Sequence, residues 1–473
     1  VIARGWYLLQ VPTILLCAAA VQAVPNEWAF LSAHDTLDVL LKEKFMGSFI
    51  HTIAVDEKRS TISIEIHLAI GNNSPGTAAM ELMERRSYDF DGKLLSIDQA
   101  MNGADGVSSW HLIKKENGEW RLSSIIGRTE RVQSLKEITE NLKVTAALYR
   151  GIRNHSIRLG YTAHDTMYDP MSGGKDDQEF RCSEEASPVN SGVWTFTVTS
   201  SILGREETWK IDTAGRTLYQ EMFPFVVRKK TSRSGTTVSV PLFSLVEALS
   251  VPASRPAGVH ESIRLVLDSS LVPDSSVRPF YRQNGTGWIV INATSAPSAD
   301  TSAVAPKNET ALQNFTIPTT TMQSDDARIL KLADSLVRGR SGRIDSINAC
   351  FRYVSDKLEK RYTPTFSNAL ETLLAGYGDC GEHAVLLGAL LRAEHIPTRV
   401  VFGLVYVKER KGYYYHAWVM AYAGGSWIFV DPTLGVFPAT RDRVPLVIDD
   451  TGTEIIRIAK LIGRITIDYV KTE

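Results

Sequence analysis

Cysteine is scarce, with four in 473 residues. So few cannot staple a chain of this length, which excludes a disulfide scaffold. Charge of one sign is lacking too. Lys+Arg number 52 and Asp+Glu 53, a net charge of −1. That balance leaves no electrostatic footprint for nucleic acid or for an acidic membrane surface, so no nucleic-acid partner is expected. The 33 Gly and 19 Pro follow no period, which excludes collagen-like repeats. No GxSxG, P-loop, HExxH or paired CxxC occurs. Serine-elbow, nucleotide-hydrolysing and zinc-site readings therefore lack their signatures, and no metal is expected. Beyond residue 23 no stretch is long and apolar enough to span a membrane.

The one long apolar run lies at the start. Arg4 is the only charge before Glu27, and Trp6 to Ala20 is mostly apolar. Val21-Gln22-Ala23 then gives a small-x-small cleavage pattern. Residues 1–23 read as a secretory signal peptide, and the mature chain as secreted or periplasmic. Three cysteines remain after it: Cys182, Cys350 and Cys380. An odd number leaves at least one thiol unpaired within the chain.

What is present is globular: 44% hydrophobic and 22% charged residues, enough for two to four domains. Thr61 to Ile70 alternates strictly, with Ile62, Ile64, Ile66, Leu68 and Ile70 on one face. That is a half-buried strand, with His67 on its polar face. Trp110 to Ile113 and Trp120 to Leu122 flank Asn117-Gly118, a hairpin signal, and Val193 to Thr199 alternates again. The segment from Tyr88 is echoed by that from Trp209: an aromatic, an Asp/Gly turn, a basic residue and Leu. Two related β-rich units are therefore expected, over 24–165 and 166–310, with one helix from Leu135 to Arg150. A Ser/Thr/Ala/Pro-rich stretch from Ala293 to Asp326 marks the main boundary. A third domain, 322–473, opens with two amphipathic helices, one from Asp325 and one over Ile344 to Leu358. Cys350 lies inside the second and reads as a buried structural thiol.

The chemistry lies between Tyr362 and Asp431. Asp379 with Glu382 three residues on has capping-box spacing, which puts Cys380 in the first turn of a helix. That helix runs to about Glu394 and is apolar nearly all round, so it is expected to be buried. A thiol there sees the positive end of the helix dipole, which favours the thiolate, and free amides that can stabilise an oxyanion. Gly412 to Tyr422 and Ser426 to Asp431 read as two strands joined by Gly424-Gly425. The turn sets Trp418 opposite Asp431, with His416 diagonal to it on the same face. Asp431 would orient His416, His416 would serve Cys380, and Cys380 would attack an amide carbonyl. The hydroxyl of Tyr362 or Tyr377 is a candidate second oxyanion donor. Gly376-x-Gly378-x-x-Gly381 also matches a dinucleotide fingerprint on paper. It needs a preceding buried strand, whereas Asn368 to Ala375 reads as a short helix.

These residues resemble the transglutaminase-like superfamily of cysteine enzymes. The likeness runs from about Ala327 to Val436. It is carried by Gly378 to Glu382, Leu390 to Ala393, His395-Ile396-Pro397-Thr398-Arg399, His416-Ala417-Trp418 and Trp427 to Thr433. It implies an α+β, papain-like core with a Cys380–His416–Asp431 triad; the β-rich N-terminal units that precede this core, giving an α+β chain, lie outside the likeness. It also implies acyl transfer or amide hydrolysis on a protein or peptide substrate, without an organic cofactor. His395 stands where family members often carry Gly, which bears on loop geometry and not on the triad. An arylamine acetyltransferase would use the same residue order, but its Arg-Gly-Gly-x-Cys pattern is absent. The rival from another class is a catalytically idle transglutaminase-like binding module on a β-rich scaffold.

Overall fold

A computed structural model describes residues 28–471 apart from several short stretches and the segments 72–79, 230–248, 292–311, 362–367, 440–442 and 450–456. The expected signal peptide, much of the Ala293–Asp326 linker and Tyr362 lie outside the described residues. The chain forms two compact units that meet in sequence at Ser244 and Leu245.

The N-terminal unit is one antiparallel sheet of fourteen described strands, β1 (Ala33–Leu41) through β14 (Phe225–Lys229). Strands β1 to β8 form one meander and β9 (Thr162–Asp169) to β14 a second. They join where β1 pairs with β14, Val39 opposite Val227. Thr61–Ile70 is β3, and its five alternate aliphatic residues are all buried. His67 is on the other face, partly exposed and 3.6 Å from Glu81. The internal echo is one turn used twice. Asp89 accepts from the Lys93 amide and Asp212 from the Arg216 amide, and Gly92 and Gly215 take the positive φ each turn needs.

The helix expected from Leu135 to Arg150 is displaced. Residues Thr129–Leu135 form strand β8, and helix α1 spans Lys143–Arg153. Its buried stripe is Leu142, Ala146, Tyr149 and Ile152. Between 135 and 142 no such stripe exists, so nothing there could hold a helix against the sheet. The expected unit boundary at 165/166 falls inside β9. Residues 251–290 also differ from expectation, because they pack with the C-terminal unit. There β16 (Glu261–Leu267) pairs with β25 (Ile465–Lys471), and Leu265 shares a core with Trp418 and Phe429.

The N-terminal interior holds a buried charge cluster. Arg86 donates to Glu84 at 2.6 Å and to both Glu140 oxygens at 2.8 and 2.7 Å, and Tyr88 donates to Glu140 at 2.5 Å. Removing one member strands the others without water. Arg86→Met is expected to cost about 3–5 kcal/mol of unfolding free energy, read from denaturant titration. A cost below about 1 kcal/mol would show that the cluster does not hold the sheet.

The C-terminal unit is α+β. Its main sheet runs β15 (Val251–Pro252), β22 (Gly412–Ala423), β21 (Thr398–Val407), β24 (Arg443–Asp449), with β23 (Ser426–Val430) also on β22. Helices α2 (Ala327–Val337), α3 (Arg343–Lys357), α4 (Ala369–Ala375) and α5 (Cys380–Ala393) pack together, and α5 lies against β22. Within α3, Cys350 is buried, and burial pushes its thiol up to about 12.

Candidate active site

The site forms where α5 begins beside β22. Helix α5 starts at Cys380 because Asp379 caps it. The Asp379 carboxylate accepts from the Gly381 amide at 2.7 Å and from the Glu382 amide, and Glu382 accepts from the Asp379 amide at 3.0 Å. The Asp379 carbonyl takes the His383 amide at 3.0 Å. The cap and the first helical bond thus occupy the amides of positions 381, 382 and 383, leaving the Cys380 amide as the first-turn donor outside them. Gly378 permits this closure, since a Cβ there would lie 2.3 Å from Cβ of Glu382. Gly376 caps α4 with φ of 75°. A helix therefore precedes the Gly-rich segment, as the dinucleotide reading could not accommodate, and the glycines serve caps.

Cys380 is half-buried, while Cys182 and Cys350 are buried. Its thiol is among the groups that raise the proton affinity of the His416 ring. His416 Nε2 donates to Asp431 Oδ2 at 2.9 Å, which leaves Nδ1 for the thiol. The β22–β23 ladder has Ala423 opposite Ser426 and Val419 opposite Val430. Asp431 steps out of that ladder and bridges Val436 instead. Its side chain still reaches the imidazole. Burial lowers the proton affinity of His416, but the Asp431 charge and hydrogen bond, with Cys380 adding to them, outweigh this and raise its pKa to about 10. Burial acts on Asp431 in the opposite sense to His416 and Arg443, and the two cations hold its carboxyl well below the usual carboxylate range.

Opposite His416 on β21 is Gly403. A Cβ there would come within 2.1 Å of the Val444 carbonyl and 2.6 Å of the Trp418 ring. Only glycine lets β24 close on β21 while Trp418 lies along the sheet, stacked on His416 at 6.3 Å between ring centroids.

Of the two candidate oxyanion tyrosines, Tyr362 lies outside the described residues. Tyr377 is three residues before Cys380, and its ring carries the Arg361 guanidinium at 3.9 Å. Two site residues escaped the sequence reading. Arg443 donates to Asp431 Oδ2 at 2.5 Å, and its only sequence signal is a lone cation opening the apolar strand β24. His383 donates from Nδ1 to the Asp379 carbonyl at 2.7 Å and is fully buried. Burial lowers its pKa, which favours the neutral ring at the start of α5. No group of His, Cys, Asp and Glu suited to a metal ion occurs among the described residues.

Solved structures with similar chain traces include a candidate cysteine protease from Cytophaga hutchinsonii, 17% identical, covering 47% of this chain and 84% of its own, TM-score 0.29. A β-barrel-like protein from Brucella abortus is 11% identical, over 41% of this chain and 93% of its own, TM-score 0.30. The periplasmic domain of TgpA from Pseudomonas aeruginosa, bound to ethylmercury, is 15% identical, over 39% of this chain and 93% of its own, TM-score 0.24. A search of curated proteins finds no match. The family comparison is specific to the segment that carries the site: residues 330–432, in the C-terminal part of this chain, match the transglutaminase-like superfamily.

Proposed function

We propose that this protein is an exported cysteine-dependent amide-processing enzyme that works through a thioester at Cys380. The observation that carries the reading is the His416 to Asp431 hydrogen bond at 2.9 Å, with the Cys380 thiol among the groups that raise the His416 proton affinity and Cys380 at a helix start. In this reading the proton rests on His416 and the sulfur is the thiolate. The sulfur attacks an amide carbonyl, and the Cys380 amide, which the cap does not occupy, donates to the developing oxyanion. His416 passes its proton to the departing nitrogen, the C–N bond breaks, and a thioester and a free amine result. Water or a second amine then gives a proton back to His416 and attacks the thioester. This regenerates the thiol pair and releases acid or a new amide. Asp431 keeps the ring oriented throughout.

The substrate proposed is a protein or peptide amide outside the cytoplasm, consistent with a signal peptide over residues 1–23. The test treats the full chain with limiting iodoacetamide at neutral pH and maps the modified thiols. Cys380 is expected to react at least about tenfold faster than Cys182 or Cys350. In parallel, ammonia release from a glutaminyl peptide is measured with and without a primary amine. Amine incorporation assigns acyl transfer, and ammonia with free glutamate assigns hydrolysis. Equal reactivity of the three thiols, together with no ammonia, would sink the proposal.

A further inference from the structure

We infer that Arg443 is a positioning residue of the triad, a buried cation that shares one carboxylate oxygen with His416 and sets the pH range over which the Cys380–His416 pair is reactive. The inference rests on the proposed catalytic role of that pair. Arg443 Nη2 lies 2.5 Å from Asp431 Oδ2, the oxygen that accepts from His416 Nε2 at 2.9 Å. Asp431 is 0% exposed and Arg443 3%. The other oxygen, Oδ1, accepts the Leu434 amide at 3.0 Å. Three donors from three directions therefore fix the carboxylate.

The topology makes the contact. Strand β24 adds to the edge of β21 with Arg443 opposite Val405, while Gly403 of the same strand faces His416. The guanidinium is thereby delivered to the same carboxylate oxygen that the imidazole uses. The charged and titratable groups around His416 are few. Helix α5 contributes Cys380, the β22–β23 side contributes Asp431, and β24 contributes Arg443. Gly403 brings no side chain from β21. His383 of the α5 start feels the charges of Asp379, Lys360 and Asp431.

A bare buried carboxylate would bind the imidazolium too well, making it a poor proton donor to a leaving amine. A guanidinium stays charged at every working pH. On the same oxygen it keeps Asp431 ionised and offsets part of the charge His416 feels. A unit charge at this range, at an effective dielectric near 20, moves a proton equilibrium by about one to two pH units.

The test is the pH profile of Cys380 alkylation by iodoacetamide in the full chain. Its two limbs, the rise as the thiolate forms and the change in thiolate reactivity as the neighbouring imidazolium loses its proton, belong to the thiol–imidazole pair. Arg443→Gln removes the cation, so each proton is held more tightly. Both limbs are expected to move to higher pH by about one unit. Arg443→Lys keeps the charge with a single, differently placed donor. It is expected to leave the limbs in place and lower the rate at the plateau about tenfold. A packing role alone would lower the amplitude and leave the limbs where they are. Limbs unmoved in a folded Arg443→Gln protein would overturn the inference. Should that variant not fold, an Arg443→Lys protein with unchanged limbs and unchanged rate would overturn it equally. A wild-type chain with no preferential Cys380 reaction refutes the underlying enzyme reading instead, so the two failures are distinguishable.

Discussion

His416→Ala is expected to lower amide turnover about a thousandfold while leaving the fold intact, the largest loss of activity this site should show apart from loss of the sulfur itself. The ring has two tasks in the proposed cycle. It holds the proton removed from Cys380, and it delivers that proton to the leaving nitrogen. Positioned general acid–base groups contribute roughly 10²–10⁴ in rate. Both half-reactions use this one group, so a value near the middle of that range is expected. Alkylation by iodoacetamide needs only the thiolate and no leaving-group proton. It should therefore fall less than amide turnover at neutral pH, and the gap between the two losses measures the acid step. His416 is only 7% exposed but packs beside Trp418 at the sheet edge facing α5. Truncating it opens a small polar space and unpairs no cation, because Arg443 still neutralises Asp431. Turnover kept within tenfold of wild type would remove His416 from the mechanism.

How much of this was legible beforehand depends on the range of the interaction that fixes each part. The start of α5 was readable because its determinants are local: Asp379 and Glu382 are three residues apart and close on each other. The β22–β23 register was readable because Gly424-Gly425 fixes it from within. The same arithmetic placed Asp431 on that ladder, one step beyond where the ladder ends. The chain turns there to bridge Val436, and the carboxylate reaches His416 by its side chain. Arg443 was not readable as a site residue. Its contact needs β24 to add to β21 after an intervening loop, and no local pattern specifies a sheet's edge partner. The N-terminal region shows the same division. Strands such as Thr61–Ile70 follow from alternation alone. That two meanders merge into one sheet depends on β1 pairing with β14, across nearly two hundred residues. The family resemblance could not help there, since its match covers 330–432.

Asp431→Asn should change both rate and pH dependence. The amide cannot offer the charge that holds up the His416 proton, so only the Cys380 contribution still opposes burial of the ring, and its pKa falls from about 10 to below its ordinary value near 6.5. The ring is then neutral at neutral pH and the thiolate loses its partner. Turnover is expected to fall about 10²–10⁴-fold, with the alkaline limb of the profile displaced to lower pH, opposite to the shift expected for Arg443→Gln. Stability supplies an independent readout. In the native chain His416 holds a proton that the unfolded chain has released between pH 6.5 and about 10. Stability from this pair is thus fully present below 6.5 and is lost as pH rises through about 10. Asp431 is depressed, so its own contribution is present above the ordinary carboxylate range and is lost as pH falls through its lowered value. Asp431→Asn should abolish the alkaline loss and leave Arg443 buried without its counter-charge, at a cost of about 3–5 kcal/mol near neutrality. Denaturant unfolding of both proteins from pH 6 to pH 10 measures this. If the two curves run parallel, the carboxylate is not what keeps the imidazole charged, and the orientation assigned to Asp431 fails with it.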